Sequence, residues 1–411
     1  MLHFVKVPIR RQLGKTAPEC YTQDRSMDSE VNALERERRA AHNAGTLIDL
    51  IDTNFQRNGL RFPAEVLIEA SSAWFKDRLY HPDPKGALAA RCSIADFYRN
   101  SGTALDPGHI IICASASESY GLLFQALAHC GDGVALPRPG YPLFEHVAGY
   151  MRLRTSFYET RFEQRFCLNR DAIAASLTPA TRFVVLVSPN NPTGHVASHA
   201  EIDQLLALCE RHNLALICDE VFSDLLYESE SLPRPMSRAA DAEVVVFTIN
   251  GVSKLFASPD LKLSWIAVSG PGQKVQRAVA ELELANDMYL NCSPLSQQLL
   301  PTLFGAGSAF RRAMQSELTA RRGILLDTAS RLEGLDVLHP AGGIHAVARF
   351  HRPQDDERFA LALLRHSGVL LHPGYLYGLD EDRFVVLSFL KERALLHEGL
   401  QRIAEFLRSA M

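Results

Sequence analysis

The sequence lacks several features that mark specialised classes of protein. None of the eight cysteines forms a C-x-x-C pair, and several stand within apolar runs, as buried free thiols do. No uninterrupted apolar run approaches the ~20 residues that a membrane helix requires. The net charge is −4 with both signs intermixed, so no nucleic-acid or membrane partner is indicated. We also find no repeat, no low-complexity linker and no pattern that predicts a metal site.

The chain is long enough to bury a large core. It has 411 residues and is 47% hydrophobic, which is ordinary for a globular protein and predicts two or three domains. Free thiols predict a reducing, cytoplasmic location. The basic start, MLHFVKVPIRRQLGK, has no convincing signal-peptide core. It leaves open a transit peptide, or a true start at Met27.

Short apolar runs alternate with helical patterns between about residues 110 and 270. Near-continuous runs rich in β-branched residues are typical of a parallel sheet covered on both faces. They predict an α/β fold with a doubly wound, mostly parallel sheet. The runs are HIIICA, GVALP, RFVVLVSP, LALICDE, EVVVFTIN and LSWIAVSG.

The pattern changes after about residue 290, where long helical stretches precede short strands near VLHP, HAVARF, GVLLHP and FVVLSF. This predicts a smaller α+β domain. We expect an N-terminal arm and helix at 1–45 that belong to the small domain. A large domain is expected at 46–285 and a small C-terminal domain at 286–411.

Two polar clusters follow predicted strands. Ser115, Ala116 and Ser117 open a helix directly after HIIICA, where free backbone N–H groups and the helix dipole favour an anion such as phosphate. Ordinary N-capping by serine is the alternative. Asn190 and Asn191 follow RFVVLVSP in SPNNPTG. Strand ends of this kind often contact ligands, although Pro, Asn and Gly also simply end strands.

Two charged clusters follow the next strands. Asp219 and Glu220 close LALICDE, and a buried carboxylate there requires a cation. A pyridinium nitrogen would serve, and a salt bridge or helix cap is the alternative. Lys254 follows EVVVFTIN in GVSK. Burial would lower its pKa and make it a Schiff-base nucleophile, whereas most lysines are solvated.

Together these motifs carry a family resemblance. The order S-x-S, PGYPLF, NNPTG, DEVF and NGVSK resembles the fold type I, class I/II aminotransferases, which use pyridoxal 5′-phosphate (PLP), and most of all their alanine-aminotransferase-like branch. The resemblance covers roughly residues 45–405. It implies that Lys254 forms the Schiff base and moves the α-proton, and that Asp219 pairs with the pyridine nitrogen. It also implies that Asn191 donates to the phenolic oxygen.

The resemblance implies further cofactor contacts. Tyr141 matches the aromatic residue that stacks on the ring. Ser115, Ala116, Ser117 and Ser253 lie where the phosphate is bound. Tyr80 resembles the tyrosine that reaches the phosphate of a neighbouring subunit, which implies a homodimer with shared active sites.

The sequence departs from the family pattern at several positions. Phe222 replaces a tyrosine that donates to the phenolic oxygen, so we expect the imine proton to be held more tightly. Lys262 stands where an arginine usually binds phosphate, and it lacks the bidentate fork. Thr53, followed by Asn54, stands where a glycine often lines the substrate entrance.

The usual arginine that binds the substrate carboxylate is also missing. Val386 occupies its position, or Val385 if the register slips, and either valine is expected in the core. Arg383 is a weak candidate to replace it. Other candidates are Lys391, Arg57 and Arg61.

We therefore predict a PLP-dependent aminotransferase that moves an amino group between an amino acid and a 2-oxo acid. A PLP-dependent lyase, cyclase or oxidase acting on a modified amino acid is the alternative, because these reactions share the carbanion at Cα. A PLP-sensing regulator is disfavoured, because the first 45 residues show no helix-turn-helix pattern.

Overall fold

The computed structural model describes residues 32–76, 80–229, 231–290, 292–351, 355–379, 381 and 383–410. The helices are α1 (Ala33–Asn43), α2 (Ala64–Lys76), α3 (Leu88–Asn100), α4 (Ala116–Leu127), α5 (Leu143–Tyr150), α6 (Arg170–Ser176), α7 (His199–Arg211), α8 (Val252–Leu255), α9 (Gly272–Asp287), α10 (Pro294–Ala306), α11 (Ser308–Ala329), α12 (Asp356–Ser367) and α13 (Arg393–Ala410). The strands are β1 (Ile48–Asp49), β2 (Ile110–Cys113), β3 (Gly133–Arg138), β4 (Arg154–Glu159), β5 (Thr181–Val187), β6 (Ala215–Asp219), β7 (Val246–Gly251), β8 (Ser264–Ser269), β9 (Leu335–Val337), β10 (His345–Phe350), β11 (Val369–Leu370), β12 (His372–Pro373) and β13 (Phe384–Ser388).

The large sheet has seven strands in the order β2-β8-β7-β6-β5-β3-β4. Every pair is parallel except the two pairs that β8 makes with β2 and β7. The predicted α/β fold with a mostly parallel sheet is therefore confirmed. Strand β4 was not predicted from the sequence, because its residues RTSFYE are largely polar. An edge strand has a neighbour on one side only and tolerates such a composition.

Helices bury both faces of the large sheet, which explains the continuous apolar runs. Ile110 and Ile112 of β2 belong to one apolar cluster, whereas Ile111 and Cys113 belong to the cluster on the opposite face. Successive side chains of a strand point to opposite faces. A strand buried on both faces thus has no reason to alternate apolar with polar residues.

A second sheet is antiparallel, with the order β12-β13-β10-β9. Its face carrying Val385 and Leu387 packs into a core with α11, α12 and α13. The short strand β1 pairs with β11, and α1 packs on α12, so residues near the N-terminus join the C-terminal part. The proposed division at 45 and 285 stays a prediction, and residues 1–31 lie outside the described part.

No described helix combines the length and apolar composition needed to cross a membrane. The seven cysteines within the described residues are free thiols, as the sequence pattern predicts, and Cys20 lies outside them.

The loop after β5 docks on the segment that leads to β10. Gly194 has φ +69°, a left-handed conformation that favours glycine, and its carbonyl accepts a hydrogen bond from Gly342 N at 2.9 Å. A Cβ at this position would lie 2.8 Å from Pro340 Cα. The NNPTG loop therefore follows a path on which a side chain at its last residue would collide with the protein.

Replacing Gly194 with alanine is expected to lower the free energy of unfolding by at least about 2 kcal/mol, because strain and overlap add. Gly323 is the matched control, since a Cβ there meets nothing within 4 Å in α11. Gly323→Ala is expected to stabilise by up to about 1 kcal/mol. Urea unfolding of both variants measures this. Equal midpoints for Gly194→Ala and the wild type would contradict the docking argument.

Candidate active site

The functional clusters meet because the carboxyl ends of parallel strands lie at one edge of a sheet. Ser115 follows β2, Lys254 follows β7 and Asp219 ends β6; Asn191 follows β5 and Tyr141 follows β3. They line one cavity of about 540 Å³. The predicted site residues that line it are Thr53, Asn54, Ser115, Ala116, Ser117, Tyr141, Asn191, Asp219, Phe222, Ser253, Lys254 and Lys262.

One end of the cavity favours an anion. Ser115 caps α4 by accepting a hydrogen bond from Glu118 N at 3.1 Å, so the capping role is real. The twelve-residue helix α4 also presents its N-terminal residues Ala116 and Ser117 to the cavity. Its dipole and first-turn N–H groups attract negative charge. Lys262, which precedes β8, lines the same cavity and adds a positive charge.

Asp219 is buried at the end of β6. Its carboxylate accepts hydrogen bonds from the Tyr120 hydroxyl at 3.1 Å and from Val221 N at 3.1 Å. Among the described residues no lysine, arginine or histidine forms an ion pair with it, and burial raises the pKa of Asp219 to about 6. Its neighbour Glu220 points elsewhere and pairs with Arg234 at 3.0 Å. The site therefore favours a ligand that brings a cation to Asp219.

Lys254 is enclosed by aromatic rings. Its Nζ lies 5.2 Å from the centre of the Phe55 ring and 6.0 Å from that of Phe222. The amine donates one long hydrogen bond, 3.4 Å, to the Thr53 carbonyl. Burial lowers the pKa of Lys254 to about 8, against the opposing effect of Asp52. Far more of this amine than of a solvated lysine is thus unprotonated near neutral pH and available as a nucleophile or base.

Two further residues complete the edge. The side-chain oxygen of Asn191 is buried and has no hydrogen-bond partner within the described structure, so a ligand group could satisfy it. The Tyr141 ring packs edge-on against Phe144, with ring centres 5.7 Å apart. Asn191 follows β5 and Tyr141 follows β3, so both residues lie on the same side of Asp219 in the sheet order.

Other predicted residues are not brought to the cavity. Tyr80 is 67% exposed outside it, and its expected partner is a second subunit. Arg383 does not line it, and its Nε is buried without a partner in the described chain. Val385 and Val386 are both fully buried, on opposite faces of the second sheet. The arginine position of the family is core here, as expected.

The cationic residues expected near the substrate entrance pair with acidic side chains or lie outside the cavity lining. Arg57 lines the cavity but pairs with Asp52 at 2.9 Å. Lys391 approaches Asp52 to 3.8 Å without lining the cavity. Arg61 donates to the Gln56 carbonyl and also lies outside the lining.

Several lining residues were missed by the sequence reading. Glu35 and Arg38 come from α1, where they form an ion pair at 2.6 Å. His345 and His372 come from the second sheet, and burial lowers the pKa of each to about 3, so both are neutral. Tyr120, the partner of Asp219, lies in α4 one turn after Ser117. Of these lining residues, only Tyr120 could have been predicted from the sequence, because a spacing of four residues places it on the same helix face as Ala116.

One group of metal-ligating residue types occurs elsewhere in the described residues. Cys167, His195 and Glu201 have ligand atoms within 4.8 Å of one another. Glu201 already accepts hydrogen bonds from His195 Nε2 at 2.9 Å and from Leu168 N at 2.6 Å, and it completes the capping box with Ser198. Its oxygens are thus occupied by protein donors, and we assign this group to capping α7.

Comparisons with known proteins agree with this geometry. The family described as aminotransferase class I and II matches residues 51–403. An arginine–pyruvate transaminase of Pseudomonas aeruginosa is 29% identical, over 83% of this chain and 86% of that protein. A glutamate–pyruvate aminotransferase of Haemophilus influenzae is 24% identical, over 85% and 87%. The solved structure of an alanine aminotransferase from Pyrococcus furiosus has a TM-score of 0.86 at 21% identity, and the match covers 92% of this chain and 96% of that one.

The fold and the site thus define a class of enzyme, the PLP-dependent transaminases. This chain belongs to the aminotransferase class I and II family. It moves an amino group between an amino acid and a 2-oxo acid with PLP as cofactor, and the predicted resemblance is confirmed.

The residues at the strand ends suit this cofactor. The anion-favouring end with α4 and Lys262 suits its phosphate, and the unpaired, buried Asp219 suits the ring nitrogen when that nitrogen is protonated. The side-chain oxygen of Asn191, which has no partner within the described structure, suits a ring substituent that donates a hydrogen bond, and the amine of Lys254 suits the aldehyde.

Asp219→Asn is expected to stabilise the cofactor-free protein at neutral pH. The pKa of Asp219 is raised on folding from about 4 to about 6, so the folded state binds the proton more tightly and stability falls as pH rises across that interval. Above about pH 6 the ionised carboxylate costs up to about 3 kcal/mol, which asparagine removes.

Thermal unfolding of the cofactor-free proteins at several pH values tests this. The exposed Asp241 is the matched control, and Asp241→Asn is expected to change neither the midpoint nor its pH dependence. A wild-type midpoint that rises between pH 4 and 6 relative to that of Asp219→Asn would contradict the assignment.

Proposed function

We propose that Lys254 and Asp219 are the two central residues of the transamination site. The observation that carries the proposal is their placement at the ends of neighbouring strands β7 and β6, with one amine of lowered pKa and one carboxylate that no cation of the described residues pairs with. In this arrangement Lys254 is the amine that would hold the cofactor at its aldehyde. Asp219 would keep a proton on the ring nitrogen.

The remaining strand-end residues hold the cofactor. The N-terminus of α4, with Ser115, Ala116 and Ser117, binds the phosphate together with Ser253 and Lys262. Tyr141 would pack on the ring, and the Nδ2–H of Asn191 would donate to its phenolic oxygen, where Phe222 has no hydroxyl to offer. When bound, PLP serves as an electron sink for the bond electrons released at the substrate Cα.

Lys254 then acts as the general base. Its Nζ would take the proton from the substrate Cα and return it during the transfer of the amino group. Its environment between Phe55 and Phe222 keeps part of the amine unprotonated near neutral pH, as a base requires.

The substrates that we propose are an amino acid as donor and pyruvate or a similar small 2-oxo acid as acceptor. The relatives are named for arginine or glutamate with pyruvate, and the similar structure is named for alanine. L-arginine, L-glutamate and L-alanine are therefore the first donors to test. These names favour transamination over the lyase, cyclase or oxidase alternative, which nothing in the site supports.

We also propose a cytoplasmic homodimer in which Tyr80 completes the site of the partner. Large apolar side chains are exposed at Tyr150, Met288, Tyr289 and Leu290. They adjoin an apolar pocket of about 510 Å³ that is lined in part by Ser117 of the cofactor end. Exposed apolar surface of this kind is typical of an interface. The free thiols support a reducing compartment.

Lys254→Ala is expected to abolish the visible absorbance of the holoenzyme and the formation of 2-oxo acid from a donor. The loss follows because no other amine occupies this position in the cavity. Lys274→Ala is the control, since Lys274 is an exposed residue of α9 that donates to the Glu243 carbonyl. It is expected to leave both properties intact.

Absorbance spectra and oxo-acid assays with the three donors provide the measurement. A visible band that survives in Lys254→Ala, or donor turnover equal to the wild type, would contradict the role of Lys254.

A further inference from the structure

His345 is a buried polar side chain with no role in the cofactor binding and proton transfer proposed above. It begins β10, is only 3% exposed and lines the cavity. Its ring packs edge-on against Phe222, with ring centres 6.4 Å apart at 79°. Among the described residues it has no hydrogen-bond partner. Because the ring lines the cavity and has no protein partner among the described residues, its N–H is available to donate to a ligand group.

The position of His345 places it near the reacting carbon of a substrate. Phe222 neighbours both groups: its ring centre lies 6.0 Å from Lys254 Nζ and 6.4 Å from the centre of the His345 ring. Lys254 also contributes to lowering the pKa of His345, after the larger effect of burial, and His372 contributes less. Because the base must reach Cα, the carboxylate bonded to Cα lies within the same part of the cavity.

The cations of the cavity are committed to other partners. Arg38 binds Glu35 through two of its nitrogens, at 2.6 and 2.9 Å, and Arg57 pairs with Asp52. Lys262 lies at the anion-favouring end, next to β8 in the sheet. Neither lining arginine within the described residues is thus free to bind a substrate carboxylate.

The second sheet turns one face to the cavity, and that face carries imidazoles. His345 pairs with Ser388, and His372 pairs with Val386, so these four side chains share a face. His372 Nδ1 already lies 3.0 Å from the Tyr377 hydroxyl. Of these two histidines, His345 is the one whose ring has no hydrogen-bond partner among the described residues.

We propose that the imidazole N–H of His345 donates a hydrogen bond to the carboxylate of the amino-acid substrate. The inference rests on the transamination function proposed above. It makes His345 a substrate-binding residue that uses a neutral donor where a fixed positive charge would bind the carboxylate more strongly.

Three variants of the holoenzyme test the role. His345→Leu keeps apolar bulk and removes both ring nitrogens, whereas His345→Gln retains an N–H donor. His351→Ala is the control, because His351 follows the same strand but pairs with Asp336 at the surface, away from the cavity. The probes are L-arginine, L-glutamate and L-alanine, each with its carboxamide.

Removing a hydrogen bond to a charged group is expected to raise KM for the amino acid by about 10- to 100-fold in His345→Leu. We expect kcat to change little, KM for the carboxamide to stay near the wild-type value, and His345→Gln to recover part of the loss. The control is expected to match the wild type.

An unchanged KM in His345→Leu, or an equal rise for amino acid and carboxamide, would overturn the proposal. The visible band of each variant reports that the cofactor is still held. A wild-type enzyme that transaminates none of the donors would instead refute the proposed substrates, and this outcome is distinct from failure at His345.

Discussion

The site depends on one costly feature, a carboxylate buried at the end of a strand that is covered on both faces. Asp219 receives two neutral hydrogen bonds and no protein cation from the described residues, and burial raises its pKa to about 6. The protein thus carries a site whose electrostatic cost a cationic ring can offset. The carboxylate of the neighbouring residue Glu220, by contrast, forms an ion pair with Arg234 within the fold.

The rest of the cofactor site follows from sheet order. The strands β2, β7, β6, β5 and β3 end at one edge, and β8 begins there because it runs antiparallel. An anion-binding helix terminus, an amine, a carboxylate and an amide therefore stand in a row. The order matches a ligand with phosphate at one end and a protonated nitrogen in the middle.

The part of the cavity that we propose for the substrate is formed by segments that are distant in the chain, unlike the row of strand ends. The second sheet contributes His345 and His372, and α1 contributes Glu35 and Arg38. The docking of Gly194 against Pro340 and Gly342 ties the NNPTG loop to the segment that leads into β10. The loop that carries Asn191 is thus anchored to the segment that leads into β10.

This difference explains what could be predicted from the sequence. Residues at strand ends, such as Asn191, Asp219 and Lys254, were found because each follows its own apolar run and parallel strands share an edge. His345 was not found, because its placement depends on the pairing of β10 with β13, which no local pattern specifies. The edge strand β4 was not predicted, because its polar sequence contains no apolar run. The valines at 385 and 386 were correctly expected in the core.

The most direct test of the account is nitrogen-15 NMR of the holoenzyme carrying ring-labelled cofactor, in the wild type and in Asp219→Ala. The account predicts a protonated ring nitrogen in the wild type at slightly alkaline pH and an unprotonated one in the variant, because the buried carboxylate holds that proton. The same protonation state in both proteins would contradict the central role of Asp219.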